Sequence, residues 1–542
     1  MNKLSLLPLM PLMLIAAAPP PVTISAERIK ADVATLSSDA FAGRGPGEKG
    51  EAATIEFLAR SFATAGLEPG GENGSWTQDV ALVRIDRMPG ANLSVTISGK
   101  AQLLRLGVDS TLSLRNAGTF QLANAPLVFA GWGIVDPALG WDAYRGVDMR
   151  GKVAVLLAND PDMTAARNLG FGGRALAFSG RSGAKIAAAV KAGAVGVMFV
   201  HEEAAFSWPF SQAGSGDTLP SFAFAPLPQS SLGFSAIVRR DVAVAMLRQA
   251  GHSLPALKAR ARNPQFRAFA LRGASVSVDG ATRATALISR NVIGKLRGSD
   301  RADEYLLYGA HWDANGHDGA DPRGDHIRNG AVDNATGTAE LIEIARAFVS
   351  SKRPRRSVIF AAWTAEEKGL LGAEYYAAHP LYPLARTAAV INLDPHVVLP
   401  ASRTLELIGP GQTDLEAELG RAAAVGGQRV IPEPNPEAGW YFRSDHYPFV
   451  QRGVPALAFR AGRDLIRSGN GTGNRIVTAY NRICYHQACD QFDPRWSFAG
   501  TAQEATAAFR VGQSVANSRG WPSWLAGSAH EAARRASAHE RR

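Results

Sequence analysis

Five short stretches of the 542-residue sequence carry side chains able to bind metal ions and to move protons. In chain order they are GAHWD (309–313), GAVDNATG (330–337), AEEKG (365–369), NLD (392–394) and YHQACD (485–490). Each stretch offers an imidazole or a carboxylate, and zinc accepts both kinds of ligand. A catalytic pair of ions about 3.5–4 Å apart also needs a carboxylate that bridges them, and Asp333 is the candidate bridge. The pattern therefore predicts a two-metal zinc site.

These stretches lie at the ends of predicted strands or in the loops that follow them. After residue 291, runs of strand type alternate with helical periodicity in NVIGKL, EYLLYGAHWD, TAELIEIARAFV, SVIFAAWTAEE and AAVINLD. Such alternation predicts an α/β fold with a mixed sheet, mainly parallel at its core and flanked by helices. In sheets of this kind, ligands gather at the carboxyl ends of the strands.

Taken singly, an acidic residue after a strand is more often a helix cap or a solvated loop residue than a metal ligand. The order of the motifs is more informative: HWD, then Asp-Asn-small-Gly, then a Glu-Glu pair after an apolar strand, then NLD, then YH. This set resembles the M28 family of metallopeptidases, over most of residues 27–115 and 275–515. The segments at 36–53 and 62–78 also resemble that family's leading region. The resemblance implies a zinc exopeptidase-like fold.

The resemblance also implies a role for each ligand. His311 and Asp394 would hold one zinc ion, Glu367 and His486 would hold the other, and Asp333 would be shared. Glu366 would be the general base that takes a proton from water and passes it to the leaving amine. Tyr485 would stabilise the oxyanion of the tetrahedral intermediate, with a packed aromatic as the alternative.

Residues beside these motifs have weaker assignments. Asp313 is expected either to orient a ligand or to cap its loop. The RSDH stretch resembles a family segment that lines the substrate site, which makes Arg443, Asp445 and His446 candidate lining residues. His486, rather than His446, fits the family's last-ligand position. The loop at 314–328 adds His317 and His326, which are expected to coat the site rather than bind metal.

The ends and the composition predict where the protein works. Residues 1–26 place a lysine before an apolar stretch and then small residues, which predicts a signal peptide and a periplasmic or secreted protein. The 58 basic and 48 acidic residues are interspersed, so the net charge of +10 is attributed to side chains on a solvated surface rather than to a nucleic-acid binding site. No stable membrane insertion is expected once the signal is removed. Cys484 and Cys489 bracket His486, and export permits but does not require a disulfide between them.

Changes in the residue pattern along the chain predict the domain organisation. Residues 27–117 and 271–520 are assigned to the peptidase domain, and 118–270 to a β-rich insert that resembles a protease-associated domain. Within the insert, AKIAAAVKAGAVGVMFV (184–200) is predicted to be helical. Residues 521–542 form a polar tail that is expected to fray.

The resulting hypothesis is an exported two-zinc metallopeptidase that hydrolyses bonds at peptide ends, with an aminopeptidase as the leading choice. The alternatives are a carboxypeptidase or dipeptidase, a one-zinc acyltransferase resembling glutaminyl cyclases, and a receptor-like relative without catalysis. A complete set of five ligands favours two metal ions and hydrolysis, and Glu366 argues against a receptor. The sequence contains neither an HExxH zinc helix nor a GxSxG nucleophile elbow.

Overall fold

The fold is built around one mixed β-sheet, as described by a computed structural model of the chain. The structure describes residues 23–165, 168–319, 321, 323–395 and 397–541. Most of the predicted signal segment therefore lies outside the described residues. Within the described part of the chain, no helix is long and apolar enough to cross a membrane.

Strands and helices alternate irregularly along the described residues. In chain order, the strands are β1 (Glu68–Pro69), β2 (Thr77–Arg87), β3 (Asn92–Ile97), β4 (Lys100–Leu104), β5 (Ser113–Leu114), β6 (Gly118–Phe129), β7 (Val135–Asp136), β8 (Trp141–Asp142), β9 (Val153–Leu157), β10 (Gly196–Val200), β11 (Ser221–Phe224), β12 (Phe234–Val238), β13 (Phe269–Leu296), β14 (Arg301–His311), β15 (Gly316–His317), β16 (Ile327–Arg328), β17 (Arg356–Trp363), β18 (Thr387–Asn392), β19 (Thr404–Leu407), β20 (Arg429–Pro432) and β21 (Ala456–Ala461). The α-helices are α1 (Ala26–Leu36), α2 (Lys49–Ala65), α3 (Ser182–Lys191), α4 (Glu203–Phe206), α5 (Phe210–Ser215), α6 (Arg240–Gln249), α7 (Leu254–Ala261), α8 (Gly337–Ser350), α9 (Leu371–Ala378), α10 (Leu415–Val425), α11 (Tyr447–Gln451), α12 (Gly469–Ile483), α13 (Ala499–Asn517) and α14 (Glu531–Ala536).

Four parallel strands form the centre of the part of the sheet where the motifs lie, in the order β17, β14, β18 and β21. On one side, β13 runs antiparallel to β17 and also pairs with β2. On the other side, β19 runs antiparallel to β21 and pairs in parallel with β20. The predicted mixed sheet with a mainly parallel core is confirmed. Because the four central strands share one direction, their carboxyl ends lie at the same edge.

Helices cover both faces of this sheet, which explains its nearly continuous apolar strands. Along β14, successive side chains point to opposite faces, so Leu306 and Tyr308 join the core beneath α8 and α13. Leu307 joins the opposite core, with α9 and α11. Each fully buried side chain of this size contributes about 1.5–3 kcal/mol of transfer free energy. Packing on both faces therefore fixes the strands that lead to the edge where the motifs lie.

The 28-residue strand β13 connects this sheet to a second core. Its first half pairs with β3 and β6, whereas its second half pairs with β2 and β17. The second core draws on residues from Leu93 to Val278 and contains the parallel strands β9, β10 and β12. It therefore extends beyond the predicted insert at 118–270. The domain boundaries and the resemblance to a protease-associated domain stay predictions.

Two local predictions are wrong. The segment at 184–200 is helical only to Lys191, since Gly193 adopts a φ of +100° and the chain continues as the buried strand β10. The apolar run at the end of this segment is compatible with either a helix or a strand. It forms the strand β10 because it pairs in parallel with β9 and β12. The tail is not frayed over its described part. Trp524 and Arg534 are buried there, and the Trp524 indole donates a hydrogen bond to the Gly453 carbonyl at 2.8 Å.

Candidate metal centre

Three adjacent strands deliver four of the predicted site residues. His311 is the last residue of β14, which lies between β17 and β18 in the sheet. Glu366 and Glu367 follow the end of β17, and Asp394 follows the end of β18. Because these strands are parallel neighbours, their following residues meet at one edge of the sheet.

Asp333 comes from the irregular segment before α8. Gly330 has a φ of +56°, and a Cβ at this position would lie 2.3 Å from the Asp333 carbonyl oxygen, so only glycine fits the turn. The Asn334 side chain then joins two parts of the site. Its amide nitrogen donates to the Leu393 carbonyl at 3.0 Å, and its amide oxygen accepts from the Gly337 backbone at 2.9 Å. The residue before Asp394 is thereby tied to the residue after Asp333.

His486 lies in a short loop between α12 and α13. A disulfide joins Cys484 to Cys489 and closes this loop, which the sequence left undecided. His486 itself has a left-handed backbone with a φ of +60°. The Asp490 carboxylate accepts hydrogen bonds from the backbone of Val332 at 2.9 Å and of Asp333 at 3.1 Å. The loop is therefore fastened directly to the Asp333 segment.

These segments bring five side chains into two groups. In the first group, His311 Nε2 lies 3.2 Å from Asp333 Oδ1 and 3.8 Å from Asp394 Oδ1. In the second group, His486 Nε2 lies 3.2 Å from Asp333 Oδ2 and 3.1 Å from Glu367 Oε2. Each group offers three ligand atoms that all lie within 4.8 Å of one another. Asp333 belongs to both groups and presents a different oxygen to each.

The chemistry of these donors fits two zinc ions. Three protein ligands of nitrogen and oxygen type per ion leave a coordination position open, as catalytic zinc sites do. His311 Nε2 is buried and faces a carboxylate oxygen of Asp333 at 3.2 Å and one of Asp394 at 3.8 Å. Burial and neighbouring carboxylates raise the pKa of both Glu366 and Glu367. Cations at the two positions would offset this crowding of negative charge.

Asp313 holds the two glutamates and contacts the first histidine. Its carboxylate accepts hydrogen bonds from the Glu366 backbone at 3.0 Å and from the Glu367 backbone at 3.3 Å. Its carbonyl oxygen lies 3.1 Å from His311 Nδ1, so that contact orients the imidazole with Nε2 toward the carboxylates. The geometry supports the orienting role, since Asp313 connects both ligand groups.

A cleft beside the ligands holds several of the remaining candidates. It is lined by Glu366, Tyr485, Arg443 and His446, among others. Arg443 donates a hydrogen bond to the Tyr485 hydroxyl at 3.2 Å. Burial raises the pKa of the Tyr485 phenol well above its usual value and lowers the pKa of His446 to about 4. Both side chains are therefore uncharged at neutral pH.

Asp445 occupies a different position from the other candidates in its stretch. It is buried and is not among the described residues that line the cleft. No described residue hydrogen-bonds to its carboxylate oxygens, and burial raises its pKa well above the usual range. Neither His317 nor His326 belongs to either ligand group. His317 is half exposed beside Glu48, and the His326 ring lies 3.2 Å from the Asp318 carbonyl.

Sequence reasoning missed the residues that hold the ligands. Ser444 donates a hydrogen bond of 2.5 Å to Asp394 Oδ2 and accepts one of 2.7 Å from the Asn392 amide. The RSDH stretch contains Ser444, but its letters do not show which side chain would reach Asp394. Arg44 is fully buried and donates to the carbonyls of Trp312 and Gly330, next to His311 and in the turn before Asp333. No local pattern predicts these contacts.

Residues 291–510 match the family model described as peptidase family M28. This part of the chain is therefore similar to M28 peptidases. The resemblance drawn from the motifs is therefore confirmed, as is the expectation of a metallopeptidase domain. The matched residues include the four central parallel strands β14, β17, β18 and β21.

The relatives that this chain resembles include a protein named as an aminopeptidase and one named as a carboxypeptidase homolog. The aminopeptidase NAALADL1 of Mus musculus is 31% identical over 239 residues, which cover 41% of this chain and 30% of that protein. The glutamate carboxypeptidase 2 homolog of Caenorhabditis elegans is 31% identical over 202 residues, covering 31% and 24%. The match thus spans less than a third of either relative. An aminopeptidase from Aneurinibacillus sp. strain AM-1 shares the fold, with 18% identity, a TM-score of 0.53 and coverage of 91% of this chain and 94% of that one.

Proposed function

We propose that the chain is an exported two-zinc metallopeptidase that removes residues from the amino ends of peptides. The observation that carries this proposal is Asp333, whose two carboxylate oxygens face two separate histidines at 3.2 Å each. A single-zinc acyltransferase has no use for a bridging carboxylate with a ligand group on each side. We assign the first zinc to His311, Asp333 and Asp394, and the second to Asp333, Glu367 and His486.

The side chains around the ligands support peptide hydrolysis. Bound zinc ions polarise the scissile carbonyl and lower the pKa of a water to near neutral. Glu366 lines the cleft, and its role is to accept the proton of the attacking water and deliver it to the leaving amine. Tyr485 stays protonated, so its hydroxyl donates a hydrogen bond to the developing oxyanion. Arg443 holds that hydroxyl in place from the other side.

Action at the amino end is supported by the aminopeptidases among the relatives, one of which shares the fold over nine-tenths of the chain. A carboxypeptidase is the second candidate because Arg443 lines the cleft. A guanidinium is the group that binds a carboxylate in a bidentate manner, as recognition of a free carboxyl end requires. The two candidates share one metal centre and differ only in which end of the peptide enters it.

Two features support export and a role for the insert in controlling access. The signal-like sequence at 1–26 directs export, and the bond between Cys484 and Cys489 suits an oxidising compartment. The insert contacts the segment that leads to Trp440, a residue that lines the cleft. The Leu176 backbone donates to the Pro436 carbonyl at 3.1 Å, and the Asn159 amide donates to the Glu437 carbonyl at 2.8 Å. Substrates would reach the site past this contact.

Metal removal combined with end-blocked peptides tests the proposal. Chelation should abolish hydrolysis, and two equivalents of zinc per chain should restore it. The restored protein should cleave peptides with a free amino end, including amidated ones, but not N-acetylated ones. Cleavage of N-acetylated peptides that requires a free carboxyl end would establish the carboxypeptidase instead. Full activity in metal-free protein would refute the zinc mechanism.

A further inference from the structure

The loop that carries His486 contacts the insert as well as the peptidase domain. We call residues 484–489 the ligand loop. Ser215, the last residue of α5 in the insert, donates its hydroxyl to the Gln487 side chain at 2.7 Å. Gln212 on the same helix donates to the Asn481 carbonyl at 2.7 Å, just before the loop begins. One short helix of the insert therefore contacts the loop that carries His486.

Arg328 joins this helix to the ligand loop. One of its terminal nitrogens donates to the His486 carbonyl. The other donates to the Ser215 carbonyl at 3.2 Å and to Asp318 Oδ2 at 2.6 Å. A single guanidinium thus connects three segments that are far apart in sequence: the ligand loop, the insert and the loop at 314–328.

The Asp318 carboxylate, which anchors the Arg328 guanidinium, is itself held by a second contact. The Arg328 and Asp318 side chains are only 7% and 6% exposed. Thr218 of the insert donates to the second Asp318 oxygen at 2.6 Å, so both carboxylate oxygens have partners. A buried ion pair whose carboxylate oxygens are both hydrogen-bonded holds its geometry more firmly than an exposed pair. The position of the His486 carbonyl therefore depends on the insert.

The backbone of His486 explains why such an anchor matters. A residue other than glycine in the left-handed region costs roughly 1–2 kcal/mol, and His486 has a φ of +60°. A donor fixed to its carbonyl opposes rotation of this backbone to a more relaxed conformation. That rotation would carry the imidazole away from Asp333 and Glu367.

We propose that Arg328 is a positioning residue through which the insert sets the zinc affinity of the group formed by Asp333, Glu367 and His486. This inference rests on the proposed function, since it takes His486 to be a zinc ligand. The other zinc position should not depend on Arg328. His311 is held there by the Thr338 hydroxyl at 2.8 Å, and Asp394 is held by Ser444.

The test is a zinc titration of metal-free protein by calorimetry, with stoichiometry from native mass spectrometry. Arg328→Ala should bind the first zinc ion as the parent does and the second about 10–100-fold more weakly, the usual effect of losing a contact that orients a ligand. Arg174→Ala is the matched control. It removes another arginine contact between the insert and the peptidase domain, the 2.7 Å ion pair with Glu437, without touching the ligand loop. This control should bind both ions with parental affinity.

Several results of the zinc titration would overturn the proposal. Parental affinity for both ions in Arg328→Ala, or an equal loss at both positions, would overturn the proposal. If Arg328→Ala does not fold, Asp318→Asn removes the anchoring charge at similar size and should show the same one-sided loss to a smaller degree. Unchanged binding in that variant would also overturn the proposal. A parent chain that binds fewer than two zinc ions would contradict the proposed function itself, before any variant is compared.

Discussion

Glu366 and Glu367 are adjacent in sequence, yet their carboxylates have different surroundings. Glu367 Oε2 lies 3.1 Å from His486 Nε2 and belongs to a ligand group. Glu366 Oε2 lies 3.8 Å from His311 Nε2 and lines the cleft, but it belongs to neither group. The Asp313 carboxylate accepts hydrogen bonds from the backbones of both glutamates, so their two side chains diverge from one fixed segment. This division favours one glutamate as a zinc ligand and the other as a base.

Replacing each glutamate by glutamine should separate these roles. Glu366→Gln keeps the size of the side chain but cannot accept the proton of water, so kcat should fall about 10²–10⁴-fold. Its zinc content should remain that of the parent. Glu367→Gln weakens a direct metal bond and should lose the second ion. Turnover measured while zinc is titrated into both variants distinguishes them, and the assignment is wrong if Glu366→Gln loses zinc while Glu367→Gln retains it.

At this scale, the sequence predicts residues whose chemistry is visible in their type. His311 and Asp394 each end or follow an apolar run of strand type, and the resemblance of the ordered motifs to M28 peptidases singles them out as ligands. Ser444 and Arg44 cannot be chosen, because serine and arginine occur throughout any surface. Their roles depend on contacts with residues 50 and 268 positions away. Only the folded chain shows those contacts.

The elements differ in how firmly they hold their ligands. His311, Glu367 and Asp394 depend on strands buried on both faces, whereas His486 depends on a loop outside the sheet. Periodicity predicts the strands that lead to this edge, but nothing periodic marks the ligand loop. Its assignment comes from the resemblance to M28 peptidases. The structure adds the reason why it is ordered, which is the disulfide together with Asp490 and Arg328.

Removing the disulfide should therefore affect one zinc position. Closing a loop of about six residues restricts the open chain by about 2 kcal/mol in the chain-entropy treatment. In a variant with Cys484→Ser and Cys489→Ser, that ordering would accompany zinc binding, and the second ion should bind about 10- to 30-fold more weakly. Zinc titration of the variant and the parent provides the measurement.

A reductant provides the control for this prediction. In the presence of a non-chelating phosphine, the parent loses its disulfide and should bind zinc as the double variant does. The double variant should be unaffected by the reductant. Parental zinc affinity in the double variant without reductant would show that the other contacts alone order the loop.

For the whole molecule, β13 determines how the two cores are joined. The sequence predicts its last residues as the strand NVIGKL, but it does not join the residues before Asn291 to that strand. A continuous strand that packs in both cores has no signature in a short stretch of sequence, because each half has its own burial pattern. For the same reason β3 and β4 are assigned from the sequence to the peptidase domain, whereas their apolar residues pack in the second core.

Deleting the second core tests whether the peptidase domain is independent of it. The Met88 backbone donates to the Ala281 carbonyl at 2.8 Å, at the end of the antiparallel pairing of β2 with β13. An Asn-Gly turn could therefore replace residues 89–280, since such a turn joins neighbouring antiparallel strands. The shortened chain should unfold cooperatively, because the cores around β14 contain no residue from that range. It should bind the first zinc ion with parental affinity.

The second zinc ion distinguishes a passive insert from one that supports the site. Without Ser215 and Thr218, the Arg328 and Asp318 pair loses its partners in the insert, so the second ion should bind roughly 10-fold more weakly than in the parent, or weaker still. Substrate selection should relax as well, because the insert no longer contacts Pro436 and Glu437 in the segment that leads to the cleft residue Trp440. Thermal unfolding and zinc titration of the shortened chain provide the measurements. A chain that folds and still binds both ions as the parent does would restrict the insert to controlling access, whereas loss of both ions would show that the two cores are a single unit.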